Sequence, residues 1–158
     1  MRGVEGPGRR RAREERGAAA LEFALVVPFL LLLVFGIISF GFMLGFRQSL
    51  SQAATEGARA AAVQLDPSAR TTDATAAVTD ALAGVGVTCT SGVLFRDATA
   101  AGTCAVGTAT ACAGAPAHNC VTVTLTYRYA ANPAVPSLPG VGAAMPDELT
   151  YAATVRVS

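Results

Sequence analysis

Residues 23–46, FALVVPFLLLLVFGIISFGFMLGF, run for 24 positions without a formal charge. At 1.5 Å of rise per residue a helix of that length spans roughly 36 Å, more than the ~30 Å hydrocarbon core of a bilayer. The stretch therefore reads as a transmembrane helix with room to tilt. A cleaved secretory signal is the competing reading, but its apolar region normally covers about 7–15 residues ahead of a small-residue cleavage site. The length favours an anchor. Pro28 removes one backbone hydrogen bond inside the helix and predicts a bend near Leu25, a defect membrane helices tolerate when neighbours satisfy the freed carbonyl. Gly41 and Gly45 form a small-x-x-x-small pair, with Gly36 before them, that would let another helix approach closely; plain lipid exposure is the alternative.

The flanks orient the segment. Six of the twelve arginines (Arg2, Arg9, Arg10, Arg11, Arg13, Arg16) precede it, against Glu5, Glu14 and Glu15, although the whole chain carries only +1. Such a basic run could bind nucleic acid, but directly before a membrane segment it is expected to hold the N-terminus in the cytoplasm, and no nucleic-acid partner is predicted. Residues 1–16 mix Gly, Pro and charge without apolar periodicity and are expected to be disordered.

Beyond the membrane the helical pattern continues. Leu50, Ala54, Gly57, Ala61 and Leu65 share one face, Gln52, Glu56 and Arg59 lie elsewhere, and Glu56 and Arg59 are placed to pair on the surface. Asp66-Pro67 predicts the end. A second helix is expected over about 68–83, with Ala74, Ala77, Val78, Ala81 and Leu82 inward and Gly84 as terminator.

After Gly86 the chain turns to Thr, Val and Gly. Val121 to Tyr129 alternates apolar and polar residues as a half-buried strand does, and Leu149 to Val157 repeats the pattern. The connection containing Pro133, Pro136, Pro139, Gly140 and Pro146 reads as a long loop that lets the two strands pair antiparallel. The expected fold is an α+β membrane protein: a long N-terminal transmembrane helix extending out of the membrane, a short second helix and a small β-rich region. The segments are a leader (1–17), a transmembrane helix (18–46), its continuation (47–66) and an extracytoplasmic domain (67–158).

Cys89, Cys104, Cys112 and Cys120 all follow the membrane segment, so the predicted orientation puts them outside the reducing cytoplasm, and two disulfides are expected. Spacing leaves the connectivity open; nesting Cys104–Cys112 inside Cys89–Cys120 is preferred because it keeps the closed loops clear of the strand. The stretch from Cys104 to Cys120 is poor in large apolar residues, so bridges are what could hold it. Without a Cys-x-x-Cys and with His118 as the one histidine, no metal is expected. No cofactor and no catalytic residue are expected either: the acids and His118 are scattered, and no phosphate-binding glycine loop is present.

The string RGAAALEFALVVPFLLLLVFGIISFG resembles a type IV prepilin cleavage site. Gly17, Glu22, Phe23, Ala24, Leu25 and Pro28, followed by the small-residue helix with Glu56, Gly57, Ala58 and Arg59, resemble the TadE-like family of tight-adherence pilus proteins. The resemblance spans roughly Gly17 to Ala62 and says almost nothing of the cysteine-containing region. It implies a minor pilin or pseudopilin that supports assembly or anchoring of thin pili, with a prepilin peptidase, other pilin-like subunits, tight-adherence membrane machinery and lipid as partners. It also implies processing at Gly17, with Ala18 as the new N-terminus and Glu22 and Phe23 completing the site. Glu22 would then lie one helical turn from a fresh ammonium group, and pairing with a neighbouring subunit's N-terminus would offset the cost of a carboxylate near hydrocarbon. The alternative for Glu22 is a headgroup position at the positive end of the helix dipole, with no partner. A second functional reading keeps the leader and makes the chain an anchored extracellular binding module.

Overall fold

The computed structural model describes residues 7–134 and 145–157, with side chains from residue 18 onward. Its elements are α1 (Pro7–Val63), α2 (Arg70–Leu82), a 3-10 turn (Ala83–Val85), and the strands β1 (Val87–Thr90), β2 (Val93–Arg96), β3 (Thr99–Val106), β4 (Thr110–Cys112), β5 (Ala115–Tyr127) and β6 (Leu149–Val157). The chain forms two units, one ending at Ile38 and one beginning at Ser39.

In the first unit α1 is the sole element among the described residues. Its leader, expected to be disordered, is helical from Pro7. Arg, Ala and Glu are strong helix formers, proline is tolerated in a first turn, and an adjoining helix removes the need for a separate nucleus. Residues 1–6 lie outside the described part. Side chains such as Phe23, Phe29 and Ile37 point away from any protein surface at 67–74% exposure. Burying them in hydrocarbon is what so apolar a helix requires, and α1 is the helix among the described residues long and apolar enough to cross a bilayer.

The second unit contains the rest of α1, α2 and one six-stranded antiparallel sheet. It begins at Ser39, inside the stretch expected to span the membrane. Met43, Phe46, Leu50, Ala53, Ala54, Ala58 and Ala61 are buried on α1, while Gln52, Glu56 and Arg59 are exposed. Glu56 and Arg59 pair at 3.4 Å, a surface contact of a few tenths of a kcal/mol. The helix ends at Val63, so Leu65 is not on its apolar face; it is 80% exposed. The next turn is held by polar groups instead: Gln64 donates to Asp73 and accepts from the Asp66 N–H at 3.0 Å, and the Asp66 carboxylate accepts from the Ser68 N–H and Oγ–H. Those Ser68 bonds, with Arg70 nearby, hold the Asp66 carboxyl below the ordinary carboxylate range.

On α2 the inward residues are Arg70, Ala74, Val78 and Leu82, with Ala77 and Ala81 half-buried. The helix gives way to the 3-10 turn at Ala83, and Gly86, with φ 68°, rather than Gly84 terminates it. Thr79 Oγ1 both donates to the Cys89 carbonyl and accepts its N–H, tying α2 to β1.

The sheet runs β1-β2-β3-β5, with β6 on the far edge of β5 and β4 continuing along the edge that β3 occupies. Of the strand expected at Val121–Tyr129, Val121–Tyr127 form the second half of β5, which starts earlier at Ala115 and ends before Arg128 and Tyr129; β6 has the expected bounds. They pair antiparallel from Asn119–Val157 to Tyr127–Leu149. Most of the proline-rich connection between them falls on residues 135–144, outside the described part. Val121, Val123, Leu125 and Tyr127 bury the inner face. Phe46 of α1 stacks tilted on Tyr127 with centroids 4.5 Å apart and on Tyr129 at 5.7 Å. Burial pushes the Tyr129 phenol above its ordinary pKa. The outer face is polar, with hydroxyl pairs Thr122–Thr154 (2.8 Å) and Thr126–Thr150 (3.1 Å) bridging β5 and β6.

Two disulfides are present, with a pairing other than the nested one: Cys89–Cys104 and Cys112–Cys120, at Cα separations of 6.2 and 5.0 Å. Cys104 lies opposite Leu125 and Cys112 opposite Ala115 on the same edge of β5. Ten positions of extended strand separate those partners by about 33 Å, far beyond disulfide reach. Cys104 instead meets Cys89 beside the Ser91-Gly92 turn, where its N–H donates to the Gly92 carbonyl at 3.0 Å. Removing the buried Cys89–Cys104 bridge, which joins residues 15 apart, is expected to cost about 3 kcal/mol; removing Cys112–Cys120, 8 apart, should cost about 0.5 kcal/mol less. Urea unfolding of paired Cys→Ser variants measures both, and a reversed ranking would contradict the loop argument.

Candidate processing and helix-packing site

Gly17, Ala18, Glu22 and Phe23 all lie within α1. Ala18 and Glu22 are four residues apart, one helical turn, and Ala18, Glu22 and Phe23 are exposed. Gly17 is a weak point of the helix, because glycine in a helix interior is less favourable than alanine by about 1 kcal/mol. The arrangement is a glycine, a carboxylate one turn beyond Ala18, and an uninterrupted apolar helix after it.

The helix residues expected to pack against other helices fall into two groups. A methyl group added at Gly36, Gly41 or Gly45 would meet nothing within 4 Å, so these positions are open on the chain's own surface. Phe40, Phe42 and Leu44, on the same turns, are 40–56% exposed. Pro28 lies within α1. Gly57 is different: a Cβ there would lie 2.6 Å from Val78 Cγ2 and 3.2 Å from the Ala74 carbonyl. Its missing side chain lets α2 approach α1, an internal use that spacing on α1 alone does not reveal.

Residues 17–59 match the family model described as TadE-like protein. This segment is similar to TadE-like proteins. The match is to the family expected from the motif, and it covers 43 of 158 residues (59 − 17 + 1). The matched segment takes in Gly17, Ala18, Glu22 and Phe23, the apolar helix and the part of α1 that enters the core as far as Arg59. It stops short of α2 and of every strand. Neither a curated protein nor a solved structure matches the chain. The similarity is confined to that segment, and the helix within it fits a membrane anchor.

Two features of the site were not apparent from the sequence. Arg47 Nε donates to the Tyr151 hydroxyl at 2.8 Å, joining residues 104 positions apart. Gly102 has no room for a side chain because the Thr126 carbonyl would lie 2.0 Å from its Cβ. Neither position carries a local motif. His118 borders a shallow depression with Asn119 and Arg156, and no group of three or more metal-ligating side chains occurs among the described residues.

Proposed function

We propose that this protein is a minor pilin or pseudopilin-like subunit, structural rather than enzymatic, that supports assembly or anchoring of tight-adherence pili. It crosses the plasma membrane once, with the leader cytoplasmic and the disulfide domain outside. A prepilin peptidase removes the leader after Gly17, and the helix then packs with other pilin-like subunits and the membrane machinery. The observation that carries this reading is the TadE-like match over residues 17–59. Support comes from the open glycines and aromatic side chains of α1 and from two disulfides that suit an oxidising compartment.

The competing reading is an uncleaved, anchored binding module without a pilus role. Deleting the gene and counting surface pili by electron microscopy separates them. Loss of pili, restored by the full chain and not by residues 39–158 alone, is expected. Normal piliation in the deletion strain would remove the pilus role.

A further inference from the structure

The globular unit begins at Ser39, before the apolar sequence ends at Phe46. Counting from the first uncharged residue after Glu22, twenty residues of helix span about 30 Å, one hydrocarbon thickness, and the twentieth is Phe42. Phe42 is 55% exposed, yet it belongs to the unit that starts at Ser39. Together with Phe46, Gly84, Val85, Arg96 and Ala134 it lines a niche of about 240 Å3. Four of the lining residues, Phe42, Phe46, Val85 and Ala134, carry apolar side chains, and the one charged group is Arg96.

Arg96 is half-buried and held in place rather than free in solvent. Its Nη1 donates to the Tyr127 hydroxyl at 3.5 Å and its Nη2 to the Ala134 carbonyl at 3.3 Å. A guanidinium has five N–H donors in a fixed fork, so donors remain for a phosphate. Among the described residues the one ion pair is Glu56–Arg59, and no carboxylate neutralises Arg96. Arg47, the residue after Phe46 in α1, donates to the Tyr151 hydroxyl. Apolar walls that accept the top of an acyl chain, an arginine at phosphate level and flanking aromatic rings are the pattern of a membrane interface.

We infer that the niche between Phe42, Val85 and Arg96 binds a phospholipid, its phosphate on Arg96 and its upper acyl chain against Phe42 and Val85. This rests on the reading of α1 as a membrane anchor. It adds that the exported domain is seated on the outer leaflet by a specific lipid contact instead of standing clear on a stalk.

The chain contains no tryptophan, so Phe42→Trp in the full-length protein gives a single fluorescent reporter at the niche. The protein is reconstituted in phosphatidylcholine vesicles with increasing phosphatidylglycerol brominated near the headgroup end of its acyl chains. Quenching is expected to saturate at a low brominated fraction. Arg96→Gln should raise the half-quenching fraction about tenfold, the loss of a charge-assisted hydrogen bond, and Arg96→Lys should recover part of it. Gly84→Glu is the second variant. It adds a carboxylate at the niche where nothing lies within 4 Å, so it repels a phosphate without a steric clash. Formation of both disulfides in each variant checks folding. Quenching that simply follows the brominated fraction and is equal in all variants would overturn the site, as would no quenching at all. Saturable quenching abolished by inorganic phosphate would show a small-anion site and overturn the lipid assignment. Alkaline carbonate extraction is run in parallel. A chain that stays in the membrane while the quenching test fails loses only this inference, whereas a chain that is extracted loses the anchor as well.

Discussion

Membrane-extracted wild-type protein is expected to begin at Ala18, and Gly17→Val protein to retain the arginine-rich leader. Mass spectrometry of the N-terminal peptide reads the difference, a loss of 17 residues including six arginines. The expected effect is all-or-none. Valine is branched at Cβ where glycine has no side chain, so it both fills the space a protease needs at the cut and removes the local weakness of α1. Glu22→Gln tests the next step. In the protein that begins at Ala18 it should reduce co-purification with other pilin-like subunits, because the carboxylate one turn from the new ammonium group would be gone. An intact leader on wild-type protein, in cells with an active peptidase, would sink the processed-subunit reading and favour the anchored binding module.

The second large effect is expected at Gly102→Ala. The added methyl would stand 2.0 Å from the Thr126 carbonyl oxygen and 2.9 Å from Tyr127 Cα. Both are backbone atoms of the neighbouring strand, so no side-chain rotation relieves the clash and β3 must part from β5. Gly102 pairs with Leu94 on one side and Tyr127 on the other, beside the register shift between Leu94 and Phe95. Destabilisation of about 3 kcal/mol or more follows, at the upper end of overpacking effects. Urea unfolding of the detergent-solubilised full chain measures it. Gly84→Ala is the control, with open space around its Cβ and a negative φ, and should shift stability by less than about 0.5 kcal/mol. Equal midpoints for the two variants would refute the steric account.

The hairpins show why half of the sheet was not legible beforehand. Ser91-Gly92 and Asp97-Ala98 are two-residue connections with both residues at positive φ, and Gly114 follows Ala113 in a third. Asn-Gly or Asp-Gly would announce such turns, but Asp-Ala does not, since alanine is rarely held left-handed. β1, β2 and β4 are also only three or four residues long, too short for an alternating pattern to register. By contrast β5 and β6 alternate over enough residues to be read directly, and their pairing followed from a single long connection.

What the sequence determined by itself was whatever depends on one local run of residues. The apolar helix, the charge bias before it, the Gly17–Glu22 spacing, the second helix and the two long strands are each encoded by neighbours in the chain. Tertiary structure decided what depends on residues far apart. It paired Cys104 with Cys89 because strand order places Cys112 at the other end of β5. It made Gly57 and Gly102 internal contacts because α2 and β5 close on them, and it drew α1 into the globular core where Tyr127 and Tyr129 meet Phe46. A contact across 30 to 100 positions is a property of packing, and no single segment carries it.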